Sequence, residues 1–370
     1  MRKVRVLHIL NSNRYSGAEN VAITMINYMK DHIDFAYESL DGQIRDVLKE
    51  NDIKFYPVPK TTPSEVRKVI NAFHPDIIHA HDYTDGMAAA LTGTRIPIIN
   101  HLHNNSPWLK SYGVKSFSYG FCANRFNKIL TVSDSIMNEY VFGIHFKSKT
   151  VTVGNPIDLK RIRTLAGVTS TEDILETEKK YDIAFLGRET LPKNPIRLLK
   201  IIRLVKDKLC EKRTDKATEE LHYHDLIVIM IGDGEMRDEV NAEIKRLHLE
   251  NNITCVGFQS NPYKYLKNAK IMLMPSSWEG FGLAAVEGLT LGLPVVASPV
   301  GGLVDIVNDE CGKLCETDQE FVDEIVNLLL DKKYYDSKSK AALKRADSFD
   351  NLDEYIKQIY RVYQEVLRKK

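Results

Sequence analysis

Two doubly wound α/β domains are predicted for this chain, on three observations. Short β-rich runs alternate with helically spaced segments along nearly the whole length. The strand runs are continuously apolar, which means parallel sheets covered on both faces. The pattern restarts after about residue 180, and 370 residues exceed what one hydrophobic core usually organises.

In the first part "KVRVLHIL", "IDFAYES", "IKFYPV", "DIIHA", "PIINHL", "KILTVS" and "KTVTVG" read as strands. Intervals such as "AENVAITMINYMK" and "SEVRKVINAFH" carry apolar residues at helical spacing. The second series is "YDIAFLG", "LIVIMIG", "NITCVG", "KIMLMP" and "PVVAS". Between the two lies a polar stretch without a strand, so the expected division is residues 1–160, a linker 161–180, and a second domain 181–348. The end, 349–370, reads as a helix with Tyr355, Ile356, Ile359, Tyr360, Tyr363 and Val366 on one apolar face that must pack on something. "CEKRTDKATEELHYHD" reads as a solvated charged insertion. "SPWLKSYGVKSFSYGFCANRFNK" mixes aromatic and basic residues, which fits a partly buried helix or a peripheral contact with an anionic membrane surface.

Composition narrows the function. A net charge of +1 gives no reason to expect nucleic acid as a partner. No apolar run approaches the ~20 residues of a membrane span, and "MRKVRVLHIL" reads as a first strand, not a signal peptide. Five scattered cysteines argue against disulfides and for a cytoplasmic location. Cys311 and Cys315 lack a second pair to complete a zinc site, and no carboxylate or histidine cluster with metal spacing is evident, so no metal or other cofactor is expected.

Functional loops should lie at the carboxyl ends of the strands, with the cleft between domains as the default ligand site. Glu279 and Glu287 stand around Gly-Phe-Gly where a strand gives way to a helix starting near Gly282. The helix start offers unpaired N–H groups for phosphate, while each carboxylate suits a vicinal diol of a ribose or hexose. An anion site beside two diol readers suggests a sugar nucleotide. Arg188 and Lys193, just past the first strand of the second domain, suit a diphosphate and its leaving charge. In "NRYSGAEN" Gly17 offers backbone N–H groups to phosphate, without a dinucleotide fingerprint, and "GDGE" at Gly232 reads as a turn bordering a base.

These residues resemble the large group 1 family of retaining, metal-independent glycosyltransferases with the GT-B fold. The resemblance rests on Glu279-Gly-Phe-Gly-Leu-Ala-Ala-Val-Glu287, "SGAE", "HAHD", "GR" with a following lysine, "GDGE", "VGF" and "GLPVVASPVGG", and covers most of the chain. It implies two Rossmann-like domains facing a cleft, with the final helix crossing back to the first. It implies that Glu287 holds the donor ribose and that Glu279, with backbone of Phe281 and Gly282, holds the sugar. Arg188, Lys193 and the amides of Leu283 and Ala284 would bind the diphosphate, and Phe258 would lie near the base. His103 takes the position of the family's active-site histidine; His81 and Asn155 are candidates for the acceptor cleft. His101 is expected to face away from His103. The sequence departs from the family at Ser16-Gly17, in place of Gly-Gly, and at Asn155-Pro156-Ile157-Asp158.

The implied reaction moves a hexose or N-acetylhexosamine from a nucleotide sugar, UDP-linked by family habit, to a saccharide acceptor, with retention. The resemblance is closest to bacterial capsule and exopolysaccharide enzymes, whose acceptors are lipid-linked on the inner face of the cell membrane. A UDP-sugar 2-epimerase would share the two domains but need no acceptor. A non-catalytic sugar-nucleotide-binding partner of another transferase would retain binding alone.

Overall fold

A computed structural model describes residues 2–214 and 225–368. The chain forms two compact units, one running to Pro156 and resuming at Asn351, the other spanning Ile157–Asp350.

The strands of the first unit are β1 Val4–Ile9, β2 Ile33–Leu40, β3 Lys54–Val58, β4 Ile77–His81, β5 Ile98–Leu102, β6 Lys128–Thr131 and β7 Thr150–Thr152. They form one parallel sheet in the order β3-β2-β1-β4-β5-β6-β7. β4 and β5 are buried at every residue, as strands covered by helices on both faces must be. Such a strand earns its place by burial, at roughly 1.5–3 kcal/mol for each large aliphatic side chain.

The second unit has β8 Tyr181–Leu186, β9 Val228–Ile231, β10 Ile253–Cys255, β11 Ala269–Met274, β12 Val295–Ala297 and β13 Gly312–Leu314. Their order is β10-β9-β8-β11-β12-β13, again all parallel. The strand absent from the sequence reading is β13. It is three residues long, starts on glycine and contains a lysine, so neither length nor apolarity marks it. Buried Cys311 and Cys315 flank it as free thiols. In each sheet the strand order reverses once, between β1 and β4 and between β8 and β11, where chains leaving adjacent carboxyl ends diverge and open a crevice.

The stretch expected to be a linker is folded instead. Helices Leu159–Ala166 and Thr171–Glu176 bury Ile162, Ala166 and Ile174 in the core of the second unit. Their polar residues face out, so the stretch looked polar in sequence. Helix Pro195–Thr214 absorbs the beginning of the charged insertion, and residues 215–224 lie outside the described residues. The last helix, Leu352–Arg368, packs on the first unit through Tyr355, Ile359, Val362, Tyr363 and Val366. Tyr360 is 42% exposed; five positions beyond Tyr355 it has rotated well off the buried stripe, which Val362 joins instead.

Candidate functional site

In the second unit the candidate residues sit on loops that leave carboxyl strand ends on both sides of the β8/β11 switch. After β8 come Gly187, Arg188 and a single 3-10 turn, Leu191–Lys193. After β11 come residues 275–282 and then helix Leu283–Thr290. The two loops are tied together. Pro192 O accepts the Ser277 N–H at 2.8 Å, and Asn194 Nδ2 donates to Ser277 Oγ at 3.1 Å. Lys193 Nζ donates to both oxygens of Glu279, at 2.6 and 2.5 Å, and Ser276 Oγ adds a 3.3 Å contact. The Lys193 and Glu279 side chains are only 19% and 11% exposed, so water screens the pair weakly. Arg188 is exposed and has no side-chain partner among the described residues.

Glu287 is partly buried and accepts a 2.9 Å hydrogen bond from the Tyr263 hydroxyl. Burial pushes its pKa above the usual carboxylate value, while the Tyr263 hydroxyl and the Lys193 ammonium act to lower it. The helix that carries it begins at Gly282, whose φ of 98° belongs to the left-handed region that glycine tolerates. No side chain caps this start, leaving the first-turn amides of Leu283 and Ala284 for a ligand. The preceding loop is held by the turn after β12. Gly302 N–H bonds Gly280 O at 2.9 Å, and a Cβ on Gly301 would lie 1.8 Å from Glu279 O.

The "GDGE" turn braces the loop after β8 from the other side. Glu189 N–H bonds Asp233 O at 3.2 Å, and Met236 N–H bonds Glu189 O at 3.0 Å. Glu189 itself is buried 2.9 Å from Arg237 Nε. Burial raises its pKa to about 7 against the pull of Arg237. Phe258 is partly buried just beyond β10. Nothing singled out Tyr263, Glu189 or Arg237 in sequence; the paired glycines after "VVASPV" were the one available signal for the Gly301–Gly302 brace.

In the first unit, His103 belongs to a larger group. His8 on β1, His79 and His81 on β4, His101 on β5 and His103 just past it stack ring against ring. His81 Nδ1 lies 2.8 Å from His103 Nε2, and His81 Nε2 lies 2.9 Å from His8 Nδ1. The His101 and His103 ring centroids are 4.2 Å apart. They do not face opposite ways, because a two-residue step along a strand returns a side chain to the same face. Burial lowers the pKa of every one of the five, that of His8 and of His103 to about 3. Two "H-x-H" runs on neighbouring strands were the sequence signal for this cluster, and only the sheet order reveals it.

Gly17 is exposed at the first turn of helix Gly17–Met29, where the Ser16 N–H already bonds the Glu19 carboxylate at 3.0 Å. An anion of the chain's own thus stands beside that amino end. Asn155 is buried in the first unit, its carbonyl accepting from Asn351 Nδ2 at 3.1 Å. That bond joins the two strands of chain where they leave and re-enter the unit.

Comparison with known proteins matches residues 15–161 to Glycosyltransferase Family 4 and residues 169–345 to Glycosyl transferases group 1. An uncharacterised glycosyltransferase of Methanocaldococcus jannaschii is 27% identical over 261 residues, covering 63% of this chain and 58% of the relative. The N-acetylgalactosamine-N,N'-diacetylbacillosaminyl-diphospho-undecaprenol 4-alpha-N-acetylgalactosaminyltransferase of Campylobacter jejuni is 30% identical over 202 residues, covering 54% and 49%. The matches thus span about half the length of these two relatives. The crystal structure of Anabaena HepE in complex with UDP and glucose superposes with a TM-score of 0.79 at 20% identity, over 98% of this chain and 100% of that one. The two parallel-sheet units, with the final helix returning to the first, have the GT-B fold, and each unit matches a glycosyltransferase family model.

Proposed function

We propose that the protein transfers a hexose or N-acetylhexosamine from a UDP-sugar to a saccharide acceptor carried on a lipid, with retention and without a metal, in polysaccharide assembly. The observation that carries the reading is the Lys193–Glu279 pair beside an uncapped helix start and the Glu287 that this helix carries, all at one switch point. The Anabaena neighbour holds UDP and glucose, and the Campylobacter relative is named for a diphospho-undecaprenol acceptor.

In this reading Glu287 accepts from the ribose hydroxyls. The Leu283 and Ala284 amides, Arg188 and Lys193 take up the charge that develops as the nucleoside diphosphate leaves. Glu279 orients the sugar through its hydroxyls. Lys193 holds that carboxylate in place, ready to accept hydrogen bonds. The acceptor hydroxyl attacks on the face the diphosphate vacates, passing its proton to a departing phosphate oxygen. His103, its pKa lowered to about 3 by desolvation though its ring is partly exposed, contributes a hydrogen bond to the transferred sugar and not a charge.

A peripheral membrane contact would suit a lipid-linked acceptor. Among the described residues no helix is long and apolar enough to cross a membrane. Helix Val114–Ala123 nevertheless leaves Val114, Phe117 and Phe121 84, 58 and 74% exposed, with Lys110 and Lys115 close in sequence.

The test is calorimetric titration with UDP, GDP and UDP-sugars in EDTA, followed by transfer assays on lipid-linked saccharides. Micromolar binding of UDP, weakened about tenfold or more by Glu287→Ala and Arg188→Ala, supports the reading. Absence of binding by every nucleotide sinks it. Binding followed by hydrolysis or epimerisation without transfer points to the rival activities.

A further inference from the structure

We infer that the histidine cluster of the first unit is a binding site for one borderline transition-metal cation of the zinc, cobalt(II) or nickel(II) class, held by His81, His101 and His103. Nothing in this inference depends on the transferase reading.

The three side chains come from β4, β5 and the residue just past it, and their candidate ligand nitrogens all lie within 4.8 Å of one another. A tetrahedral site with metal–nitrogen bonds of about 2.0–2.1 Å needs ligand nitrogens about 3.3 Å apart. His81 Nδ1 and His103 Nε2 stand at 2.8 Å, so seating an ion asks them to part by a fraction of an ångström. Imidazole is the ligand type such cations take, and hard cations such as Mg²⁺ and Ca²⁺ do not prefer it.

A second observation points to a missing ligand. His101 Nε2 is fully buried and has no hydrogen-bond partner among the described residues. A buried polar nitrogen without a partner is costly, and a lone pair aimed at a cation removes that cost. One tautomer assignment also gives two of the three rings an outer hydrogen-bond acceptor. In it His81 Nε2–H donates to His8 Nδ1 at 2.9 Å, and the His81 Nδ1 lone pair, which faces His103 Nε2 at 2.8 Å, is left for an ion once the His103 proton sits on Nδ1. His101 Nδ1–H donates to His79 Nε2 at 3.3 Å, and His79 Nδ1–H donates to the Tyr363 hydroxyl at 2.8 Å. Ligand histidines characteristically donate their second N–H in this way, which fixes the ring and raises its basicity.

The way in is past His103, which is partly exposed while His81 and His101 are buried. Three protein ligands leave a fourth position for water.

The experiment uses the untagged full chain. Cobalt(II) is titrated by visible absorption and zinc by calorimetry. The expected result is one equivalent per chain with the d–d bands of tetrahedral cobalt. His103→Ala should weaken binding at least about 100-fold and His8→Phe about tenfold, the latter by removing the acceptor behind His81. His145→Ala, at an exposed histidine, should leave it unchanged. His103 lies at the mouth, so its variant tests the site without emptying the core. Absence of a saturable single equivalent overturns the inference, as does binding that survives His103→Ala undiminished.

Discussion

Lys193 and Glu279 form an ion pair across two loops, both carboxylate oxygens within 2.6 Å of one ammonium that is itself mostly buried. Removing one partner leaves the other charge uncompensated, which costs more than the pair contributes to stability. Lys193→Met should therefore lower stability by about 2–4 kcal/mol, seen as a fall in Tm. The double variant Lys193→Met/Glu279→Gln, which removes both charges, should regain much of that stability. If the pair serves catalysis, the double variant stays inactive despite folding well. Recovered turnover would reduce the pair to a structural role.

The Tyr263–Glu287 hydrogen bond gives a pH-dependent expectation. Burial raises the Glu287 pKa and the Tyr263 hydroxyl lowers it. Only the ionised carboxylate accepts from both ribose hydroxyls, so nucleotide affinity should fall as pH drops through this pKa. Tyr263→Phe removes a lowering contribution. Its affinity should begin to fall at a higher pH than in wild type, while the two agree within about threefold at alkaline pH. Calorimetric Kd values measured across pH 5 to 9 give both curves. Curves that superpose would deny Glu287 contact with the nucleotide.

Gly301 makes a test independent of charge. Its φ is 53°, and any Cβ would fall 1.8 Å from Glu279 O, a contact that the backbone must relieve by moving. Gly301→Ala should displace the loop bearing Glu279 and cut transferase kcat/KM by about 100-fold, the penalty for misplacing a positioning group by about an ångström. The change sits on a surface turn, so circular dichroism should show the fold intact. Activity within a few-fold of wild type would show that the loop position is not critical.

The two units and the loops at their carboxyl strand ends were legible in the sequence for one physical reason. Parallel strands buried on both faces write continuous apolar runs, and ligand loops follow their carboxyl ends. Glu279, Glu287, Arg188 and Lys193 were therefore placed from order along the chain alone. Pairing between distant loops was not legible. Lys193 meets Glu279 86 residues further on, and no periodicity reports such a contact. The histidines failed differently. "HAH" and "HLH" each state which face their residues share, but only the register that sets His81 opposite His101, and His8 opposite His79, assembles five rings. The amphipathic helices of 161–180 were misjudged because only one narrow stripe of each is apolar.

The same histidines set how acid unfolds the protein. A histidine buried neutral in the native state, with its pKa lowered to about 3 for His8 and His103 from 6.5, charges first in the unfolded chain. Its contribution is fully present above pH 6.5 and is lost as pH falls toward 3, because the unfolded state binds the extra proton. Glu38 works in the opposite sense. Buried on β2 without a hydrogen-bond partner among the described residues, it has its pKa raised to about 8, so the native state holds a proton that the unfolded chain releases above 4.5. Its contribution is present below pH 4.5 and lost as pH rises to 8. Urea unfolding at fixed pH values should therefore show stability falling on the acid side of 6.5, and His8→Phe should flatten that limb. Glu38→Gln should stabilise the protein by a few kcal/mol at pH 8 and by little at pH 4. An acid limb unchanged by His8→Phe would mean that the cluster is hydrated and charges in place, and that burial does not hold it neutral.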